Sequence, residues 1–295
     1  MIRYALNRAG TVTFTVRDED GVAAAPTGSV TVTVYDATDV QIATGTATAG
    51  ATGVYTYALP SAVRSELGAY TVRFGYTLTG VAQTADVGIE VVGNLLFEIA
   101  DLRAAHPELS DVERYTSAAI RTARDEATER LEEAAQVAFA TRRTIQTVSG
   151  DETTRLLMPH VEITAVNSVT LYNEITGADA VEDEFDGTEI ADVEIDSHAG
   201  VLKRTTNLWP YGHNNIVVDY EHGYASTPNP VKRAAMRLAV EALVPNALPS
   251  RALAQSTDVG DFRISVANPE AGRPTGDPEV DAVILMFGRR RPTVG

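Results

Sequence analysis

The stretch VGIEVVGNLLFEIADLRA, residues 87–104, decides the fold, because two patterns of apolar spacing meet inside it. Val87, Ile89 and Val91 recur at every second position, the period of a strand with one buried and one wet face. Beyond Gly93-Asn94 the spacing becomes helical, and a short helix is expected over 96–105, stopped by Pro107.

Towards the N-terminus the period of two persists. Val12, Phe14 and Val16 alternate with threonines; Val30, Val32 and Val34 repeat the pattern, as do Tyr55, Tyr57 and Leu59, then Tyr70, Val72, Phe74 and Tyr76. Gly and Asp punctuate the gaps. Several short strands in 1–92 fit an immunoglobulin-like (Ig-like) β-sandwich, although the Cys pair and core Trp of antibody domains are absent.

Towards the C-terminus, Ser110 and Glu113 have the spacing of a capping box. The helix behind it is expected over 110–140, roughly 45 Å long at 1.5 Å per residue. Its inner stripe reads Val112, Tyr115, Ala119, Ala123, Ala127, Leu131, Ala134 and Ala138, with Arg121, Arg124, Asp125, Glu129, Arg130 and Glu132 on a solvated outer face. A β-layer follows over 144–220, then a helix over 230–244 with Asn229 as N-cap. The remainder reads as an extended, loop-rich tail (248–295) with a terminal helix over 278–287, started by Asp277-Pro278 and stopped by Gly288. The fold class is α+β in two domains: an all-β sandwich (1–92), then a long-helix bundle with an inserted antiparallel β-layer (93–247) and its tail.

The composition narrows the function classes. The formal net charge is −16, against the basic face that phosphate neutralisation requires. Ten carboxylates and no Lys or Arg lie between Glu174 and Asp196, so much of the acidity is one local feature. Without cysteine there are no disulfides, thiolate metal sites or Cys nucleophiles, which suits synthesis in a reducing cytoplasm. No apolar run approaches the ~18 residues of a bilayer span, and the N-terminus lacks the apolar core of a signal peptide. Membrane partners are therefore not expected.

Catalytic signals are weak. His106, His160, His198, His213 and His222 show no i,i+4 pairing, and His213, Asp219 and His222 make only a faint metal candidate. The tract EDEFDGTEIAD holds close carboxylates, but it lacks the ligand spacing of an EF-hand and the aromatic platforms of a glycosidase. A solvated acidic loop is the plainer reading. No nucleophile elbow, Walker or dinucleotide fingerprint occurs, so neither enzyme activity nor a cofactor is expected.

Three stretches, in order, resemble the head–tail connector (adaptor) family of tailed bacteriophages over about residues 95–292. FATRRTIQTVSGDETTRLLMPHVEITAVNSVTLYN (Phe139–Asn173) looks like the family's helix end, strand, apolar turn and second strand. VVDYEHGYASTPNPVKRAAMRLAVEALVP (Val217–Pro245) is similar to its strand, Tyr/Gly turn, proline pair and helix. DVGDFRISVANPEAGRPTGDPEVDAVILMFGRRRP (Asp258–Pro292) is similar to its tail, with a last helix and a basic end. The N-terminal sandwich is an addition that many members lack.

The resemblance implies a virion protein at the head–tail interface. It would form a ring, typically of twelve copies, beneath the portal protein, joining head to tail around a channel through which DNA passes without specific binding. The tail would reach into the portal, the next tail-side ring or tail terminator would dock below, and the added sandwich could contact the capsid. The family offers no catalytic residues. Expected interface residues are Ile284, Phe287, Arg289, Arg290 and Arg291 at the end of the chain, because that helix has too little local chain to pack against. Glu182, Asp183, Glu184 and Asp186 are a second set, facing either the DNA channel, where they would repel phosphate over ~8 Å, or a basic surface on the next ring. The alternative is an Ig-like adhesin or carbohydrate-binding module.

Overall fold

The computed structural model describes residues 1–172, 181–186, 193–244, 252–258, 261–266 and 274–289, with backbone alone for 181–186, 252–258 and 261–266. The fold is mixed α+β in two compact units, Met1–Leu95 with Thr141–Thr144, and Leu96–Ala140 with Ile145–Gly295.

The first unit contains β1 (Ile2–Ala5), β2 (Thr11–Thr15), β3 (Thr27–Tyr35), β4 (Gln41–Thr46), β5 (Thr48–Ala49), β6 (Val54–Ala58), the one-turn helix α1 (Ser61–Arg64), β7 (Gly68–Leu78) and β8 (Val81–Val92). They form a five-stranded sheet ordered β1-β8-β7-β3-β4 and a three-stranded sheet ordered β2-β6-β5. All pairs are antiparallel except β1 with β8. The alternating residues meet in one core: Val12, Val32, Val34, Val72, Phe74, Ile89 and Val91 are all buried, and Phe14 stacks on Phe74 with ring centroids 4.8 Å apart. Period two places every second β-branched or aromatic side chain on this inner face.

The second unit opens with α2 (Ile99–Ala105), capped by a reciprocal pair of bonds between Glu98 and Asp101. A 3₁₀ turn at Pro107–Ser110 leads to α3 (Ser117–Ala135). The strands are β9 (Arg142–Gly150), β10 (Arg155–Leu157), β11 (Ile163–Tyr172), β12 (Val181–Asp186), β13 (Val193–Asp196), β14 (Val201–Arg204) and β15 (Gly212–His222). Helix α4 (Asn229–Leu243), the strands β16 (Ala252–Asp258) and β17 (Asp261–Val266), and α5 (Pro278–Phe287) complete it. Sheet order is β12-β11-β15-β9 in one layer and β10-β14-β13 in another, with Leu156, Val169, Leu202, Trp209, Ile216 and Val218 in their common core.

Five expectations are corrected here. The third helix starts at Ser117, not 110, and its 19 residues make it about 28 Å long. Ser110 and Glu113 form no capping box. Ser110 instead donates to the Pro107 carbonyl, and the Asp111 carboxylate accepts from the amides of Glu113 and Arg114. Such short side-chain bonds compete with helix initiation, and Thr116 becomes the cap by accepting from Ala119 N at 3.2 Å. The buried stripe is also rotated: Ile120, Ala123, Arg124, Ala127, Thr128, Leu131, Glu132 and Ala135 face inward, while Ala119 and Val112 are exposed. Arg124 and Glu132 tolerate burial because Asp125 and the Phe139 amide, respectively, satisfy them. The tail is not loop throughout, since β16 and β17 pair as a hairpin over 252–266. Helix α4 takes Pro228, not Asn229, as its N-cap.

Candidate interaction site at the C-terminal helix

The start of α5 is held by carboxylates. Asp277 accepts from the amides of Glu279 (2.9 Å) and Val280 (3.4 Å), and its other oxygen takes the Arg237 guanidinium of α4. Arg237 also reaches Glu279 at 2.6 Å, and Asp281 accepts from the amide and hydroxyl of Thr275. These bonds satisfy the amides that a helix start leaves open and place negative charge at the favourable end of its dipole.

Helix α5 packs against α3 and α4, with Val280 and Ile284 buried. At its end Phe287 meets Phe139 and Tyr224 edge-on (6.2 Å to each centroid), and those two rings stack at 5.9 Å. Two glycines permit this closeness. A Cβ on Gly223 would lie 2.3 Å from the Ala140 carbonyl, and one on Gly288 would lie 2.5 Å from the Ile284 carbonyl. The expectation that this helix lacks local chain to pack against is therefore overturned: long-range folding brings α3 and α4 to it. Ile284 lies in that contact, Phe287 belongs to the three-ring cluster, and Arg289 donates from its amide to Ala135 O (2.9 Å) and from its guanidinium to Pro159 O (2.6 Å). Arg290 and Arg291 lie outside the described residues. Leu285 and Met286, on the other face of the helix, are 65% and 70% exposed.

Beside this end lies a cleft of about 400 Å³, lined by Val137, Glu162, His198, Phe287 and Arg289 among others. His198 Nδ1 sits 2.8 Å from Glu162, whose hydrogen bond and charge raise the imidazole above its ordinary pKa. Glu162 itself has a left-handed backbone, φ 57°. Next to it, His160 and His222 stack with centroids 4.0 Å apart, and the Tyr220 hydroxyl lies 2.6 Å from His160 Nδ1. Burial pushes the Tyr220 phenol up to about 12, so it stays neutral wherever histidines titrate.

His213, Asp219 and His222 do not assemble: His213 is near Ser149, Asp219 accepts from Asn167, and His222 lies on His160. Among the described residues no group of three His, Asp or Glu is disposed to hold a metal. Glu182, Asp183, Glu184 and Asp186 stand on β12, the outermost strand of its sheet, with Asp186 opposite Ser168 and Glu184 opposite Thr170; their side chains lie outside the description. Sequence reasoning missed Glu132, Phe139, Tyr224 and the His160–His222 pair. No local signal marks them, because each acts through a partner distant in the chain. No described helix is long and apolar enough to cross a membrane.

No protein-family model and no curated protein matches this chain. Among solved structures, the neck of an empty gene transfer agent particle computed with C6 symmetry is similar at 16% identity and a TM-score of 0.43, covering 68% of this chain and 93% of that one. The neck of the native particle, computed with C12 symmetry, is similar at 14% identity and a TM-score of 0.41, covering 70% and 98%. A Salmonella alpha-2-macroglobulin mutant gives 12% identity and a TM-score of 0.24 over 75% of this chain and 14% of that one. At these TM-scores the likeness carries no argument about what this chain does.

Proposed function

We propose that the chain is a structural, non-enzymatic head–tail adaptor of a tailed-phage virion, with an Ig-like domain added at its N-terminus. It forms a ring, of twelve copies on the family's pattern, beneath the portal. The ring joins head to tail and leaves a channel through which DNA passes without specific binding. What carries this reading is the ordered resemblance of residues 139–173, 217–245 and 258–292 to the connector family. They contribute Phe139, Tyr224 and Phe287 to the same ring cluster.

In this reading the end of the chain from Phe287 through Arg291 meets the portal, with the arginines paired to its carboxylates. The acidic strand β12 faces the channel or a basic surface of the next tail-side ring or tail terminator, and the Ig-like domain contacts the capsid. Negative-stain images of the full chain, alone at high concentration and in virions, test the proposal. A ring with a central hole at the head–tail vertex is expected. A monomer in solution together with its absence from purified virions removes the reading. Replacing Arg289, Arg290 and Arg291 by Ala is expected to lower the yield of tailed particles while the subunit still folds. Unchanged assembly would show that these arginines are only a solvated end.

A further inference from the structure

The five-stranded sheet of the first unit has two open edges of matching height. On one side β4 is bonded, among the described residues, only to β3. On the other, β1 pairs with only the last four residues of β8, Ile89–Val92, so among the described residues the backbone of Val81–Gly88 is bonded to β7 alone. Pair by pair, Thr46 lies in the same row as Thr31, Gly75 and Thr84, and Gln41 in the same row as Tyr35, Thr71 and Gly88. The open half of β8 therefore spans the rows that β4 spans. Three antiparallel steps separate the strands, so the two edges also run in opposite directions. A copy moved sideways by one sheet width would bring its β8 against β4 in antiparallel register without a crossover, leaving Ile42 as the extra residue of the bulge that β4 already carries opposite β3.

No charge or proline guards β4. Edge strands are ordinarily blunted by charge, proline or bulges; β4 has one bulge, at Ile42 near its start, but residues 40–63 contain no Asp, Glu, Lys or Arg. Val40 and Ile42 are 54% and 37% exposed, and Thr44 and Thr46 are also exposed. Helix α1 lies near β4, but no backbone hydrogen bond joins them among the described residues. On β8, residues 81–84 are exposed, and the one charge in the open half, Asp86, is paired with Arg73 at 2.8 Å.

We infer that the β4 edge of this unit pairs head-to-tail with the Val81–Gly88 edge of a second copy of this chain, continuing the five-stranded sheet from copy to copy. Because the two surfaces differ, the contact is heterologous, the kind that builds rings or filaments and not a closed two-fold dimer. The inference stands apart from the adaptor reading, which particle images test independently.

The natural absence of cysteine makes the test clean. In the full chain, Thr46→Cys and Thr84→Cys are made singly and together. Within one copy the two positions are three strand spacings apart, about 14 Å, too far for a disulfide. Under mild oxidation the double variant is expected to give a ladder of covalent oligomers, and a mixture of the single variants a mixed dimer. Ile42→Lys with Thr44→Lys, both at solvent-facing positions of the edge, should reduce the ladder to background while the melting temperature stays unchanged. Three outcomes overturn the inference: no cross-link at concentrations of tens of micromolar; dimers from Thr46→Cys alone matching the mixed yield, which would mean two-fold pairing; or an equal ladder when Ala118→Cys on α3 replaces Thr84→Cys.

Discussion

In the first unit the buried side chains are aliphatic or aromatic apart from Arg3, whereas the second unit buries Arg124, Glu132, Arg204, Asp219, His222, Asp277 and Asp281 among its described residues. The sheet edges differ in the same sense. β4 carries no charge, while β12 reads Val-Glu-Asp-Glu-Phe-Asp. An apolar interior needs only the right period and roughly the right volume, so it leaves the surface free to be plain. A polar interior must satisfy each donor and acceptor with a named partner, and so fixes how helices and loops dock. The first unit is thus held by repetitive burial, the second by burial together with specific polar contacts. Their edges follow suit, one without charge and one dense in carboxylates.

The largest test of this contrast is Phe74→Ala. Phe74 is fully buried and stacked on Phe14, and truncating such a ring costs about 3–5 kcal/mol. Calorimetry should show the transition of the first unit falling steeply while that of the second keeps its midpoint. A single merged transition that shifts as a whole would break the comparison, since the two interiors would then be one cooperative system.

A smaller effect is expected from Glu132→Ala, which removes the acceptor 2.9 Å from the buried Phe139 amide. An amide left without its charged partner costs about 1.5–3 kcal/mol, and the loss should fall on the second unit only. Glu132→Gln retains an oxygen acceptor and should recover part of it. Faster exchange of the Phe139 amide in the Ala variant would locate the defect. Equal stability of all three proteins would show that the polar contact specifies nothing.

The smallest effect concerns pH. Glu162 raises the His198 pKa in the folded state by hydrogen bonding and by charge. A raised imidazole pKa contributes stability that is fully present below the ordinary value of 6.5 and lost as pH climbs through the raised folded value. His198 is 87% exposed, so solvent screens the pair and the change in stability is slight. Proton NMR is the better readout: the His198 midpoint should lie above 6.5 and fall towards it in Glu162→Gln, with the charge of Asp196 still raising it. An unchanged midpoint would remove the ion pair from the account of this cleft.

Much of this molecule was legible from its residues alone. Period two in Val30–Val34 and Tyr70–Tyr76 identified strands because alternation is a local property of an extended chain with one buried face. Asp277-Pro278 and Gly288 bounded α5 because caps act within one turn. The start and facing of α3 were not legible. Asp111 accepts the Glu113 amide that Ser110 was expected to cap, while Ser110 donates to the Pro107 carbonyl, and the inward turn of Arg124 and Glu132 depends on bonds made only in the folded chain. The candidate site shares that limit. Phe287 and Arg289 could be named from sequence, but their meeting with Phe139, Tyr224 and Pro159 could not. Nor could the stacking of His160 on His222, separated by a full strand pairing, because ring contacts across that span follow from register. The sequence by itself determined the strands of the first unit, the existence of α3, α4 and α5, and where charge is absent. Only the tertiary structure decided which polar groups are buried together and which sheet edges stand at the same height, since both depend on pairings between residues far apart in the chain.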